Sequence, residues 1–373
     1  MGEVGLPHKA DKSFFDRKRP WSERKDQILA YYLEPYLAKV ARRGQPILIV
    51  DGFAGPGKFG DGNIGSPLII CAKAQELVAR GVAVSVLCIE SQPEVYELLR
   101  ANLSGFSFAE PAPGTFLDHI PKIRDLARTH TTFLYMDPWT VEGLDWAALD
   151  SVFSEVMRAG GSVELLLNFN APSFVRRALA ALKCDVPPVD PEIEDADEYD
   201  LGEVVSPSSE HLTQIVGGSW WEDALVSSTD FREQVRRVAE EVCNMLRREF
   251  TEVGCLAIKA KPAHCVPKYY LLFASGHPDG LKLMNEAMVK TRGTSMFYLD
   301  LFARSDLHRL ILDAAEDWIP RGELILAVIR QAFCMFSWSE IRGAIEDLLK
   351  SGTLTSSTGK TRINNTVKVR RAR

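Results

Sequence analysis

The sequence predicts an α/β protein with a doubly wound, mostly parallel sheet and an antiparallel last strand, followed by a smaller module of three helices and a β-ribbon. Three observations lead there. Short apolar runs near 47–51, 83–90, 132–137 and 162–169 alternate with helical patterns near 67–80, 92–103, 117–129, 145–159 and 172–183, the mark of parallel strands joined by crossover helices. Two β-rich runs at 255–259 and 269–274, separated by a turn with Pro262 and Pro267, predict an antiparallel closing hairpin. From about 306 the pattern becomes helical at 306–317, 320–333 and 337–351, then strand-like at 353–356 and 365–369 around Gly359. The expected division is therefore residues 1–300 and residues 301–373.

Before the first strand lies a basic, aromatic segment, HKADKSFFDRKRPWSERK, leading into an amphipathic helix at 27–40 with Ile28, Leu29, Tyr32, Leu33 and Leu37 on one side. Such a helix packs on the sheet edge or covers a pocket. A weak strand is expected near 106–109, and a long helix at 230–252. Between Cys184 and Glu203 the chain carries nine acids, no Lys or Arg, and Pro187, Pro188 and Pro191. That composition cannot support a packed core and reads as an acidic insertion at 185–205.

Bulk properties narrow the class. With 373 residues and 46% hydrophobic composition, the chain is long enough for a large domain and an appendage. No stretch has the length and apolarity of a membrane span, and the basic N-terminus lacks the apolar core of a secretory signal; a cytoplasmic location and no membrane partner are expected. Seven cysteines without a CxxC pair predict reduced, buried thiols rather than a disulfide framework or a zinc site. His264 and His277 have no acid or Cys at ligand spacing and read as surface or turn residues, so no metal site is expected. No Walker loop, HExxH or Ser-His-Asp order is present.

The most informative stretch is Asp51 to Pro67, DGFAGPGKFGDGNIGSP, directly after the first strand. Gly52, Gly55 and Gly57 let the backbone turn and approach a ligand without a Cβ in the way. The opening acid, Phe53 in third place and the Gly-Pro-Gly continuation resemble the first motif of class I S-adenosylmethionine-dependent methyltransferases; a plain strand-to-helix turn is the alternative. The second strand ends in Glu90, where an acid accepts both hydroxyls of a ribose. Its 39-residue distance from Asp51 exceeds the usual spacing because an extension at 61–67 separates loop from helix. Glu90 reads equally as an acid capping the helix that follows.

The fourth strand ends in Asp137-Pro138-Trp139. An acid, a Pro-supported carbonyl and an aromatic ring at this edge meet a planar substrate. Amino-group methyltransferases of nucleic-acid bases carry a similar Asp/Asn-Pro-Pro-aromatic sequence here; this chain has Trp139 where the second Pro would be, and a strand-ending Asp-Pro turn is the alternative. Asn168, at the end of the next strand, points to the same edge or caps the helix near Pro172. From Lys350 onward there are seven bases and no acids, with Lys360, Arg362, Lys368 and Arg370 in or beside the expected ribbon. They suit DNA or RNA phosphates, or form an ordinary solvated tail.

Taken in order, DGFAGPGKFGDGNIGSPL, the Glu90 strand end, FLYMDPW, LLNF and YYLLFASGHPDGLKLMNEAM resemble the three-Cys-motif partner proteins, the TcmP family, over roughly residues 9–345. WSERKDQILAYYLEPYL resembles that family's opening helix. The resemblance implies a Rossmann-like class I methyltransferase domain with a C-terminal winged helix-turn-helix, in bacteria or archaea, encoded beside a protein carrying a three-cysteine motif. It implies S-adenosylmethionine as cofactor, held at Asp51, Gly52, Phe53, Gly55 and Gly57, and a substrate side at Asp137 and Pro138. Thr140 departs from the family's usual Gly after the aromatic. A scaffold for the three-cysteine partner and a DNA-binding regulator are the rival readings.

Overall fold

The structure is a computed structural model, which describes residues 16–187, 208–259, 264–292 and 304–372. Most of the expected acidic insertion, part of the Pro262 turn and the expected 300/301 boundary lie outside the described residues.

Helix α1 (Pro20–Val40) precedes five strands that alternate with helices: β1 (Ile47–Asp51), α2 (Ser66–Ala79), β2 (Val84–Glu90), α3 (Pro93–Leu103), β3 (Ala109–Pro113), α4 (Phe116–Ala127), β4 (Thr131–Met136), α5 (Trp146–Arg158), β5 (Ser162–Phe169) and α6 (Ala171–Ala181). Three further helices follow, α7 (Ser209–Val216), α8 (Trp220–Val226) and α9 (Phe231–Glu249), and then the antiparallel pair β6 (Glu252–Ile258) and β7 (Tyr269–Ser275) and helix α10 (Pro278–Arg292). The sheet order is β3-β2-β1-β4-β5-β7-β6. β1 to β5 run parallel, and β7 is antiparallel to both β5 and β6. The expected mostly parallel sheet with an antiparallel last strand is what is found, and its strand order reverses between β1 and β4, where such sheets bind ligands.

Some boundaries moved for clear reasons. The strand expected near 106–109 forms at Ala109–Pro113 instead; it pairs only with β2, and an edge strand tolerates Pro111 and Pro113 because its outer N–H groups are not needed. α1 starts at Pro20, because Pro is favoured in the first helical turn, and the long helix stops at Glu249 with β6 beginning at Glu252. The short helices α7 and α8 and the helix α10 were not expected.

Both sheet faces are covered by apolar side chains. One face holds Ile47, Ile49, Val86, Phe133 and Leu271 against α1, α2 and α10, and the other holds Leu48, Val50, Leu134, Leu165 and Leu272 against α4, α5, α6 and α9. The alternation of Ile47/Ile49 with Leu48/Val50 is the period-2 rule of a strand buried on two sides. Inside the first face, Glu164 of β5 is buried with Tyr32, whose hydroxyl donates to it, and Ser275, whose Oγ donates at 2.8 Å.

The C-terminal part comprises α11 (Arg304–Ala314), β8 (Ile319–Pro320), α12 (Arg321–Gln331), α13 (Trp338–Lys350), β9 (Leu354–Ser356) and β10 (Lys368–Arg371). The expected two-stranded ribbon gains a third strand: the order is β8-β10-β9, antiparallel throughout. This part shares the first apolar core, with Ile311, Leu324, Val328, Ile341 and Ile345 contiguous with Met284 and Met288 of α10. Polar contacts fix the join. Arg330 Nε donates at 2.9 Å to Glu252, which is 1% exposed; Asn285 Nδ2 donates to the Phe336 carbonyl and Asn285 Oδ1 accepts from the Cys334 amide, both at 2.9 Å. Gly254 leaves room for the Phe333 ring, which lies 2.4 Å from where a Cβ would stand.

The cysteine and histidine expectations need correction. Cys71, Cys88, Cys243 and Cys334 are buried, but Cys184 and Cys265 are exposed and Cys255 is half-buried. His264 is buried at 8% exposure; His277 is exposed as expected.

Burial pushes the Glu164 carboxyl up to about 7, and the Tyr32 hydroxyl pulls against that shift. A carboxyl raised in the folded state makes stability fall as pH rises from its unfolded value through 7. Tyr32→Phe removes a donor from the ionised form, so it should cost about 1–3 kcal/mol in urea unfolding, with a larger deficit at pH 8 than at pH 5. A deficit that shrinks with rising pH would rule this account out.

Candidate functional site

Four polar side chains come together at the carboxyl ends of neighbouring strands: Asp51 on β1, Glu90 on β2, Asp137 just after β4 and Asn168 on β5. Parallel strands with their crossovers on both faces necessarily bring these ends to one edge, so residues up to 117 positions apart in sequence meet.

The glycine loop leaves β1 through two backbone bonds, Gly52 N–H to the Tyr135 carbonyl at 3.0 Å and Ala54 N–H to the Ile89 carbonyl at 2.8 Å. A Cβ on Gly52 would stand 2.7 Å from Met136 Sδ and 3.2 Å from the Phe116 ring, so this position admits only glycine without repacking. Gly55 and Gly57 have φ of 63° and 78°, the left-handed region open to glycine. Asn102 Nδ2 donates to the Pro56 carbonyl at 2.8 Å and Gly65 N–H to the Gly57 carbonyl at 2.8 Å. These bonds fix the path of the loop. The extension lies at 58–64, not 61–67: Lys58 and Ile64 form a bridge, Phe59 N–H bonds the Asn63 carbonyl, and α2 already begins at Ser66.

Asp51 is fully buried, and burial pushes its carboxyl up to about 7 against the opposing pull of the Phe53 amide and of the nearby Ser66 hydroxyl, which falls short of a hydrogen bond to it. Its Oδ1 accepts from Phe53 N–H at 3.4 Å, while Oδ2 is buried with no hydrogen-bond partner. A buried acceptor without a donor is costly, and a ligand ammonium or amide at that point relieves the cost. Glu90 accepts from Gly55 N–H at 3.0 Å and from Gln92 N–H at 2.7 Å. It therefore braces the start of α3 and locks that turn to the glycine loop. Burial raises its carboxyl as well.

Asp137 is surrounded by donors. Lys25 Nζ of α1 lies 2.7 Å from Oδ1 and 2.6 Å from Oδ2, Asn168 Nδ2 lies 2.7 Å from Oδ1, and the Tyr135 hydroxyl 3.3 Å from Oδ2. Burial and the Asp137 charge push the Tyr135 phenol up, so it stays a donor. Asn168 does not cap α6; that cap is Asn170, whose side chain accepts from Ser173 N–H at 3.1 Å. Pro138 is buried, packed with the Phe53 ring around the space where Gly143 lacks a Cβ, while Trp139 is half-buried. Sequence reasoning missed Lys25. It ends the basic segment ahead of the helix expected at 27–40, and only the docking of α1 carries it to the sheet edge.

The N-terminal segment also covers the extension. Lys18 N–H donates to Asp61 at 2.9 Å, Lys18 Nζ donates to the Ile64 carbonyl at 2.5 Å, and Lys18 pairs with Asp26. Asp26 is buried, and its carboxyl rises to about 6 despite Lys18. A depression of about 450 Å³ opens here, lined by Arg17, Lys18, Arg19, Glu23, Asp61 and Asn63. On the C-terminal sheet, Lys360, Arg362 and Lys368 are exposed, and Arg370 is half-buried over the Trp318 ring at 4.9 Å. These four bases stand far along the chain from the acidic edge and form a separate feature.

No protein-family model matches the chain, and no curated protein matches it. Among solved structures, cofactor-bound Rv0187 from MTB is similar at 14% identity over 71% of this chain and 86% of its own, with a TM-score of 0.35. The plantazolicin methyltransferase BamL, in complex with a triazolic desmethylPZN analog and SAH, is similar at 12% identity over 71% of this chain and 90% of its own, with a TM-score of 0.30. A hypothetical protein of Thermus thermophilus is similar at 20% identity over 44% of this chain and 81% of its own, with a TM-score of 0.25. At these TM-scores the fold assignment rests on the strand order of the sheet itself.

The raised Asp51 carboxyl makes a prediction. Its folded-state value exceeds its unfolded one, so stability falls as pH rises from about 4 through about 7 and levels off above. Asp51→Asn lacks that titration; the thermal midpoint of the variant relative to the native chain should rise over this window. A difference flat from pH 4 to pH 8 would remove Asp51 as a buried, ionisable group.

Proposed function

We propose that the chain is an S-adenosylmethionine-binding protein of the methyltransferase type, acting on a nucleic acid or on a substrate linked to a three-cysteine partner. One observation carries the reading. At the switch point of a β3-β2-β1-β4-β5-β7-β6 sheet, a glycine cradle with left-handed Gly55 and Gly57 sits between two buried acids, one of which, Asp51, has an oxygen without a donor. The donor set suits this cofactor. Asp51 would take the methionine ammonium, the Gly52–Gly57 backbone would run beside it, and Glu90, already locked by two amides, would present its remaining lone pairs to the ribose hydroxyls. When bound, the cofactor supplies an electrophilic methyl group. The chain's own residues do the rest: Asp137 and Asn168 orient an acceptor at the neighbouring strand ends, and Trp139 offers a ring for it to stack on.

The resemblance to the three-Cys-motif partner family supports a partner encoded nearby, and the C-terminal order of helix, short strand, two helices and two strands supports a winged helix-turn-helix. Its exposed Lys360, Arg362 and Lys368 favour a second role in holding DNA or RNA by its phosphates.

Two experiments test these points. Calorimetric titration with S-adenosylmethionine and S-adenosylhomocysteine should show micromolar binding, weakened at least tenfold, about 1.4 kcal/mol, by Asp51→Ala and by Glu90→Ala. Equal affinity in both variants removes the site assignment, and no binding to the native chain moves the reading to a scaffold. For the basic ribbon, replacing Lys360, Arg362 and Lys368 together by Glu should abolish DNA or RNA binding at physiological salt, and the single replacements should each flatten its salt dependence, by about 0.9 in slope for every phosphate no longer neutralised. Unchanged binding would exclude the ribbon as the contact.

A further inference from the structure

The acceptor side of the site is already full. A carboxylate offers about four lone-pair positions, and Asp137 uses four: Oδ1 accepts from Lys25 Nζ and Asn168 Nδ2, both at 2.7 Å, and Oδ2 accepts from Lys25 Nζ at 2.6 Å and the Tyr135 hydroxyl at 3.3 Å. Tyr135 and Asn168 belong to strands of the sheet and are fixed by its pairing. Lys25 is different, since it enters from α1 on a long, rotatable stem.

The ammonium of Lys25 also lies over the Tyr269 ring, 5.1 Å from its centroid, within the reach of a cation–π contact. Its side chain is 10% exposed, so the charge has been taken out of water and is matched by Asp137 and the ring. Beside it, the orientation of Asn168 is settled by chemistry: an ionised carboxylate only accepts, so the amide must turn its Nδ2 to Asp137. That leaves Asn168 Oδ1 buried and without a donor. The site therefore sets a carboxylate and an aromatic face against a group with several N–H donors and a positive charge, and Asn168 beside them holds one further buried acceptor without a donor.

We infer that this is a recognition site for an aliphatic primary amine, the chemistry of a lysine side chain or a chain N-terminus, and that Lys25 is its internal stand-in, which an incoming amine displaces. The inference rests on the acceptor side of the methyltransferase reading but not on cofactor binding. It favours an aliphatic amine over the planar, uncharged amino group of a nucleobase. A tethered ligand has an effective concentration in the millimolar range or above, so an external amine must be abundant or bring binding energy from elsewhere to displace Lys25. The contact thus holds the site shut to small amines.

The test uses n-butylammonium as probe, with n-butanol as its uncharged counterpart and cytidine as the nucleobase amine. In Lys25→Ala, butylammonium should raise the thermal midpoint in a saturable way, while butanol and cytidine leave it unchanged. In the native chain carrying ¹⁵N-labelled lysine, the Lys25 Nζ resonance should move toward that of solvent-exposed lysines on adding butylammonium, at concentrations at least tenfold higher than the variant requires. Equal shifts with butanol, a response to cytidine in place of butylammonium, or a Lys25 resonance that stays fixed would each overturn the inference. If Lys25→Ala does not fold, the measurement on the native chain decides by itself. No arm contains S-adenosylmethionine, so failure here is distinct from failure of the cofactor titration.

Discussion

Burying carboxylates at the end of a low-dielectric sheet is the constraint to which the rest of this molecule answers. Asp26, Asp51, Glu90 and Asp137 lie within one edge, and burial raises the first three. Charges removed from water cost several kcal/mol each unless matched. The chain matches two of them with lysines: Lys18, just ahead of α1, pairs with Asp26 on α1, and Lys25 of α1 pairs with Asp137. Asp51 is left with one unsatisfied oxygen, and the glycine cradle opens beside it.

That same helix carries structural weight. Ile28, Leu29, Tyr32, Leu33, Tyr36 and Leu37 are essentially buried, with Tyr32 stacked on Tyr36, tilted against the Phe133 ring and edge-on to the Phe273 ring of the sheet. The apolar side of α1 thereby fixes the placement of Lys25, so packing and electrostatics are one device. The seating of the helix is also why the Lys25 side chain reaches both Asp137 oxygens rather than remaining in solvent.

At the other end of the sheet, the C-terminal helices are joined to α10 and β6 by a shared core and by Asn285, Glu252 and Arg330. The join is tight enough that Gly254 yields its side-chain space to Phe333. A motion of the basic ribbon relative to the sheet would have to break buried polar contacts. The C-terminal helices and the sheet are therefore held together by one continuous core.

Much of this was legible from the amino-acid order alone. The alternation of short apolar runs with helical stretches determined the parallel strands, because strand and helix bury their faces with different periods. The Gly-rich loop after Ile47–Val50, and acids at the strand ends, located Asp51, Glu90 and Asp137, because strand tips and left-handed glycines are local properties. Other features had no local signal. β3 shifted to a Pro-containing edge because only its position in the sheet makes proline tolerable, and no local pattern marks His264 as buried. Whether Asn168 or Asn170 caps α6 was decided by the point at which the helix begins. Above all, the pairing of Lys25 with Asp137 joins residues 112 positions apart, and a lysine on an amphipathic helix carries no mark of its partner. The tertiary structure decided it, since only the packing of α1 across the sheet brings that ammonium to the carboxylate.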